Sequence, residues 1–219
     1  MSVVVKTGKA KTAALREAES SAPAPIKLAS GVSLRSRARE FEDVIASTQV
    51  TDLEGVRRDT EASMASLVAL FKELRAEGRR MYIIGNGGSA GVAGHAVTDF
   101  LNVAKLRAST LHDACLLSCM SNDYGYDVAF ARILATMAAA GDVLIAISSS
   151  GQSANIRNAA AEMRKLGGKV ITLSGFKPDN PLRSLGDVNL WLSSSDYGMV
   201  EIGHQFILHN LADRLRLEA

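Results

Sequence analysis

A chain of 219 residues can bury one substantial core, and a composition 47% hydrophobic and 22% charged is that of an ordinary globular protein. A formal net charge of +2 is too small to argue for nucleic-acid binding, and Lys6, Lys9, Lys11 and Arg16 place part of the basic excess in an N-terminal stretch expected to be solvated. No run approaches the roughly 18 consecutive apolar residues of a membrane span. Val3-Val4-Val5 is followed at once by Lys6, which argues against a secretory leader, so the cytoplasm is the expected compartment.

Residues 1–33 read as a flexible tail, because Ser20-Ser21-Ala22-Pro23-Ala24-Pro25 interrupts any helix and Gly31 follows. From 34 to 76 the pattern is helical. Phe41, Val44 and Ile45 form one apolar face and Val56, Met64, Leu67, Leu70, Phe71 and Leu74 another, with Thr51 and Asp52 as cap residues between two helices. Residues 34–77 are thus N-terminal helices, carrying more apolar surface than one sandwich face needs, and 78–219 an α/β core. In that core, strand-like runs at 80–84, 114–119, 142–148, 169–174 and 188–193 alternate with helical runs at 88–103, 126–139, 153–167 and 198–217. Such alternation predicts βαβ units, hence a five-stranded parallel sheet covered by helices on both faces. Cys115 and Cys119, four apart in a run read as a strand, are expected to be buried and reduced, too far apart to bridge.

In an open parallel sheet, ligands bind beyond the carboxyl ends of the strands. Three polar sequences fall there: Asn86-Gly87-Gly88-Ser89, Ser121-Asn122-Asp123, and Ser148-Ser149-Ser150-Gly151-Gln152-Ser153. The glycine turn offers bare backbone N–H groups, and the serine loop adds hydroxyls where a strand feeds a helix, a combination suited to a phosphate monoester. A helix cap needs one such hydroxyl, and four serines around Gly151 exceed that need. Gly-x-x-x-x-Gly-Lys-[Ser/Thr] is absent, which disfavours nucleotide triphosphate hydrolysis, and the Rossmann fingerprint fails at Ala90. His95 and Asp99, four apart on a helix, share one face as two ligands of one metal ion would. His112 reads as a loop residue and Trp191 as core.

Taken together, Gly85-Asn86-Gly87-Gly88-Ser89-Ala90, Ser121-Asn122-Asp123, the serine loop and Glu201-x-x-His204-x-x-x-x-His209 resemble the sugar isomerase (SIS) domain, and within it the phosphoheptose isomerase branch, over about residues 50–217. The resemblance implies a three-layer sandwich on a five-stranded parallel sheet, a homotetramer, and isomerisation of sedoheptulose 7-phosphate to a heptose 7-phosphate. It also implies one zinc ion on His95, Asp99, Glu201 and His209, with Asp99 and His209 as the acid/base pair and His204 a candidate supporting or interface residue. Asn86, Gly87, Gly88, Ser89, Asn122, Asp123, Ser148, Ser149, Ser150, Ser153 and Glu201 would hold the phosphosugar. Two positions depart from the family pattern: Asp99 stands for Glu and Glu201 for Gln.

Glu201 and His209 would lie about 12 Å apart along an unbroken helix, so one shared ion requires a late helix start or a bulge near Gly203. Two classes of function stay open: a metal-dependent aldose–ketose phosphate isomerase, or a sugar-phosphate-binding protein of the same fold acting as a regulator or a replication-initiator partner. Four metal-capable residues favour the enzyme.

Overall fold

Alternation within the strands decides the layers. In Arg80–Ile84, Met81 and Ile83 enter one apolar cluster while Tyr82 and Ile84 enter another. Val143–Ser148 splits in the same way, Val143, Ile145 and Ile147 to one side and Leu144 and Ala146 to the other. A strand apolar on both faces is stable only when helices cover both.

The computed structural model describes residues 33–217. In chain order it contains α1 (Leu34–Ala46), β1 (Gln49–Thr51), β2 (Arg57–Arg58), α2 (Thr60–Ala76), β3 (Arg80–Ile84), α3 (Gly88–Asn102), β4 (Arg107–Thr110), α4 (Ala114–Tyr124), α5 (Ala129–Met137), β5 (Val143–Ser148), α6 (Ala154–Lys165), β6 (Lys169–Ser174), β7 (Val188–Trp191) and α7 (Tyr197–Leu217). The strand order is β2-β1-β7-β6-β5-β3-β4. The pairs among β3 to β7 are parallel, as expected. Two short strands, β1 and β2, extend this five-stranded unit in antiparallel sense beyond β7. Residues Arg39–Ala219 form one compact unit, and Met1–Ala38 is a second, in which Ser36 N donates to Ser33 Oγ at the start of α1 (3.1 Å). The tail expected over 1–33 otherwise lies outside the described residues.

Three expectations are corrected. Residues 114–119 belong to helix α4, not to a strand. Asp113 accepts a hydrogen bond from Leu116 N (2.8 Å) and nucleates that helix, and the edge strand is instead the short, weakly apolar β4. Cys115 and Cys119 are therefore on a helix and exposed, both as free thiols, while Leu116, Leu117 and Met120 turn inward. Thr51 and Asp52 do not cap a helix, since Thr51 ends β1 and the cap of α2 is Asp59, accepting from Ala62 N (2.8 Å).

Helix α7 runs without interruption from Tyr197 to Leu217. Gly203 makes no bulge in it. A side chain there would come within 2.5 Å of Leu192 Cδ1, so the glycine lets the helix press onto the sheet. Beside it, His204 is fully buried with Nε2 3.2 Å from the carbonyl oxygen of Ser174, and burial pushes its pKa down to about 4. An unfolded chain protonates a histidine near pH 6.5, so the unfolded state binds more protons between pH 6.5 and 4. Stability contributed by neutral His204 is fully present above that window and is lost as pH falls through it, by about 1.4 kcal/mol per pH unit. Chemical denaturation of the wild type and of His204→Gln from pH 7 to 4 should show a shallower pH dependence in the variant.

Candidate functional site

The sheet reverses its winding between β3 and β5, since β4 lies to one side of β3 and β5, β6 and β7 to the other. Such a switch point parts the loops on either side and opens a crevice at the strand ends. A cavity of about 240 Å³ occupies it. Asn86, Gly87, Gly88 and Ser89 line it from the loop after β3, Ile147, Ser148, Ser149, Ser150 and Ser153 from β5 and its loop, and Tyr197 and Glu201 from the start of α7. Nine of the eleven lining residues were candidates from sequence for the sugar phosphate, and Glu201 was also a candidate for the metal. Tyr197 and Ile147 were not read from the sequence.

Three helices begin at this cavity: α3 at Gly88, α6 after Ser153, and α7 at Tyr197. Each brings the positive end of its dipole, while Asp196 Oδ1 accepts from Met199 N in α7 (3.0 Å) and Asn155 Oδ1 from Ile156 N in α6 (3.0 Å). Ser153 stands at the N-cap of α6 yet makes no side-chain cap; its hydroxyl accepts instead from Ser148 Oγ (3.2 Å). Ser149 has a buried hydroxyl with no hydrogen-bond partner. Gly151 takes a left-handed φ of +66°, and a side chain on it would collide with Asn180. The loop therefore gathers serine hydroxyls at the start of α6, an arrangement suited to an oxyanion. Among its lining residues the one charged side chain is Glu201. Gly88 makes room for it, because a Cβ at that position would overlap the Glu201 carboxylate.

Asn86 is a tie between loops. Its Nδ2 donates to Asn155 Oδ1 (2.9 Å), and its Oδ1 accepts from Asn155 Nδ2 (3.0 Å) and from the Tyr126 hydroxyl (2.8 Å). Asn155 is buried in the first turn of α6. This clamp fixes the spacing of the glycine turn and the serine loop. His112 supports the same turn from the loop before α4, with Nε2 3.0 Å from the Gly85 carbonyl oxygen, and burial lowers its pKa and keeps it neutral.

The second half of the site lies along α3 and α7. Gly88 meets Glu201 near the start of both helices, and Asp99 meets His209 further along, so the two helices run side by side in the same direction. His95 Nε2 is 3.7 Å from Asp99 Oδ2, and His209 Nδ1 is 2.8 Å from it. That short approach lacks hydrogen-bond alignment, and Asp99 Oδ2 is buried without a hydrogen-bond partner. One ligand atom from each of the three residues lies within 4.8 Å of the others. Lone pairs that converge without bonding one another fit a shared divalent cation, and two imidazoles with a carboxylate are a zinc-type donor set with room for a further ligand. Glu201 stands outside this group. Eight residues of unbroken helix, about 12 Å, separate it from His209, so three of the four expected ligands come together and Glu201 joins the serine cavity.

Residues 47–175 match the family model of the SIS domain. The chain is 34% identical over 166 residues to a phosphoheptose isomerase of Pelobacter propionicus (73% of this chain, 87% of that one) and 33% identical over 167 residues to one of Geobacter sulfurreducens (74% and 88%). The chain belongs to the SIS domain family. Within it, the relatives place the chain in the phosphoheptose isomerase branch. The fold is similar to that of a Francisella tularensis phosphoheptose isomerase (TM-score 0.69, 23% identity, covering 85% of this chain and 99% of that one). It is also similar to a Vibrio vulnificus NanR protein complexed with ManNAc-6P (TM-score 0.62, 19% identity, 84% and 61%).

The SIS domain brings together most, not all, of the candidate residues. Asn122 and Asp123 lie exposed near the end of α4, hydrogen-bonded to one another (3.0 Å), and do not line the cavity. They fall outside because 114–124 is helical, which carries them off the strand-end rim. Of the residues not singled out for the site, Asn155 stands two positions after Ser153 in the first turn of α6, next to the serine loop, whereas nothing local marks Tyr126 or Tyr197. If the three-residue cluster holds a cation, zinc titration by calorimetry should give one site per chain, and His95→Ala and His209→Ala should each weaken it at least about tenfold.

Proposed function

We propose that this protein is a phosphosugar aldose–ketose isomerase, with sedoheptulose 7-phosphate and D-glycero-D-manno-heptose 7-phosphate as its substrate pair. The observation that carries the reading is the convergence of three helix N-termini and an unpartnered serine hydroxyl on one cavity, with a His–Asp–His cluster further along two of the same helices. The relatives named as phosphoheptose isomerases support the reaction class.

The substrate phosphate sits on Ser148, Ser149, Ser150 and Ser153 at the start of α6, and the sugar chain extends past Ser89 and Glu201 toward the cluster. Side chains on a helix tilt toward its N-terminus. Because α3 and α7 both begin at the cavity, His95, Asp99 and His209 lean back toward the bound sugar. Isomerisation removes a proton from C1 of the ketose, returns one to C2, and transfers a hydroxyl proton from O1 to O2. Asp99 and His209 are the groups placed to carry these protons. A zinc ion held by His95, Asp99 and His209 would supply charge stabilisation for the oxygens. Glu201 accepts hydrogen bonds from sugar hydroxyls beside the Gly88 turn.

Proton NMR of the purified protein with a panel of ketose and aldose phosphates tests the reading: a seven-carbon pair should interconvert, and no turnover of any member would overturn it. Ser149→Ala with Ser153→Ala should raise KM more than it lowers kcat, since it removes binding common to ground and transition states. Tyr126→Phe removes one hydrogen bond from Asn86, worth about 1 kcal/mol, and should raise KM about fivefold. His209→Gln should lower kcat with little change in phosphate affinity.

The assembly we propose is a homotetramer. Ile202 and Phe206 are exposed on α7, 60% and 49%, one helical turn apart, and the Phe206 ring meets Phe41 of α1 edge-on at 5.9 Å. Closed symmetric association buries such surface. Light scattering at micromolar concentration should give four times the chain mass, and Phe206→Glu should lower it.

A further inference from the structure

At the opposite end of the sheet from the serine cavity, the first residues of β3 and β4 are both arginine. Arg80 and Arg107 are register partners on adjacent parallel strands, which puts their side chains on the same face. Like charges directly opposite one another on neighbouring strands destabilise a sheet. Among the described residues neither arginine forms an ion pair. The two carboxylates lining the same cavity are otherwise engaged: Glu77 pairs with Arg79 Nε (3.0 Å), and the buried Asp142 accepts from the backbone N–H of Arg80 (2.8 Å) and of Ala139 (2.9 Å).

The surroundings are built rather than incidental. The cavity measures about 540 Å³, and Arg79 and Thr136 complete its polar lining. The Arg79 guanidinium donates to the Ala140 carbonyl and lies against Gly141, where a Cβ would come within 2.8 Å of its Cζ. Gly141 holds a left-handed φ of +84°, so the close approach depends on glycine. Arg107 is steadied by donating from Nη1 to the Gly78 carbonyl (2.7 Å). The Arg79 and Arg107 guanidinium groups are thus held by backbone carbonyls, and Arg80 and Arg107 make no ion pair among the described residues.

We propose that this cavity binds a phosphoryl group, held by Arg80 and Arg107 with Arg79 at its side. The lining sets three guanidinium groups against two carboxylates, an excess of positive charge, and guanidinium forks match phosphate oxygens in pairs. The five steps of β5 between Val143 and Ser148, about 17 Å, separate this cavity from the serine loop, so its occupant is a second anion and not the sugar phosphate in the cradle.

Inorganic phosphate is the probe, titrated by calorimetry at low ionic strength into the full chain carrying Ser149→Ala and Ser153→Ala, in which the cradle is weakened. Binding should persist in that background, and adding Arg80→Gln and Arg107→Gln should weaken it at least tenfold. The four-substitution protein should keep the circular dichroism of its parent and an equal or higher Tm without phosphate, because a like-charge pair has been removed. Arg107→Gln alone, which leaves Arg80 in place, should weaken binding by an intermediate factor. Unchanged phosphate affinity after the arginine substitutions, or no binding once the serines are replaced, would overturn the proposal. Neither outcome bears on isomerase activity, which is measured separately.

Discussion

The crevice between β3 and β5 has no cationic side chain in its lining, so any positive potential there comes from the backbone, and the rest of this structure is arranged around that constraint. Three helices start at the crevice between β3 and β5, and their free N–H groups and dipoles are the attractive charge available there. Helix N-termini reach a common point only where the sheet switches its winding direction, so strand order and ligand site follow from one constraint. Ser153 illustrates the cost. A capping hydroxyl would serve the first turn of α6, yet it bonds Ser148 instead, and Asn155 Oδ1 takes Ile156 N in its place (3.0 Å).

Backbone donors act over short distances, so the loops that carry them must be held in place. The double hydrogen bond between Asn86 and Asn155, with Tyr126 on the same Asn86 oxygen, spans the crevice and ties the two loops together. A side chain this fully engaged by protein groups acts chiefly as a spacer. The same logic explains how Glu201 can sit within this cavity. Gly88 lets its carboxylate lie at the beginnings of α3 and α7, where the two dipoles offset its charge.

Periodicity and turn chemistry made most of the fold legible. The strands at 80–84, 142–148, 169–174 and 188–193 and the helices between them appear within two or three residues of expectation. The failure at 114–119 is physical. Six mixed apolar residues suit either a strand or a half-buried helix, and Asp113 tips the balance through one capping bond. β1 and β2 are too short to show a period, and β1 is held by non-local pairing to β7. In the site, the glycine turn, the serine loop and the His95–Asp99 pair were readable because each is local. Their relation to His209 rested on resemblance, since it depends on how α3 and α7 pack. The unbroken α7 then separates Glu201 from the other ligands, which spacing alone had already made difficult.

The shortened carboxylate at position 99 can be understood in the same terms. Aspartate retracts its oxygens by one methylene, roughly 1 Å, a displacement large enough to impair an acid/base group when its partners stay fixed. Here the partners are close: Oδ2 lies 2.8 Å from His209 and 3.7 Å from His95, and the two imidazole rings stand edge to face at 4.9 Å. The packing of α3 on α7 brings the histidines to the shorter side chain, with Ala93, Ala96, Leu208 and Ala212 of these helices all in one buried cluster. Small residues at such a contact permit close axes, and close axes favour a short ligand over a long one. The alanines on both helices therefore suit the shorter side chain at position 99, whose Oδ2 lies beside both histidines.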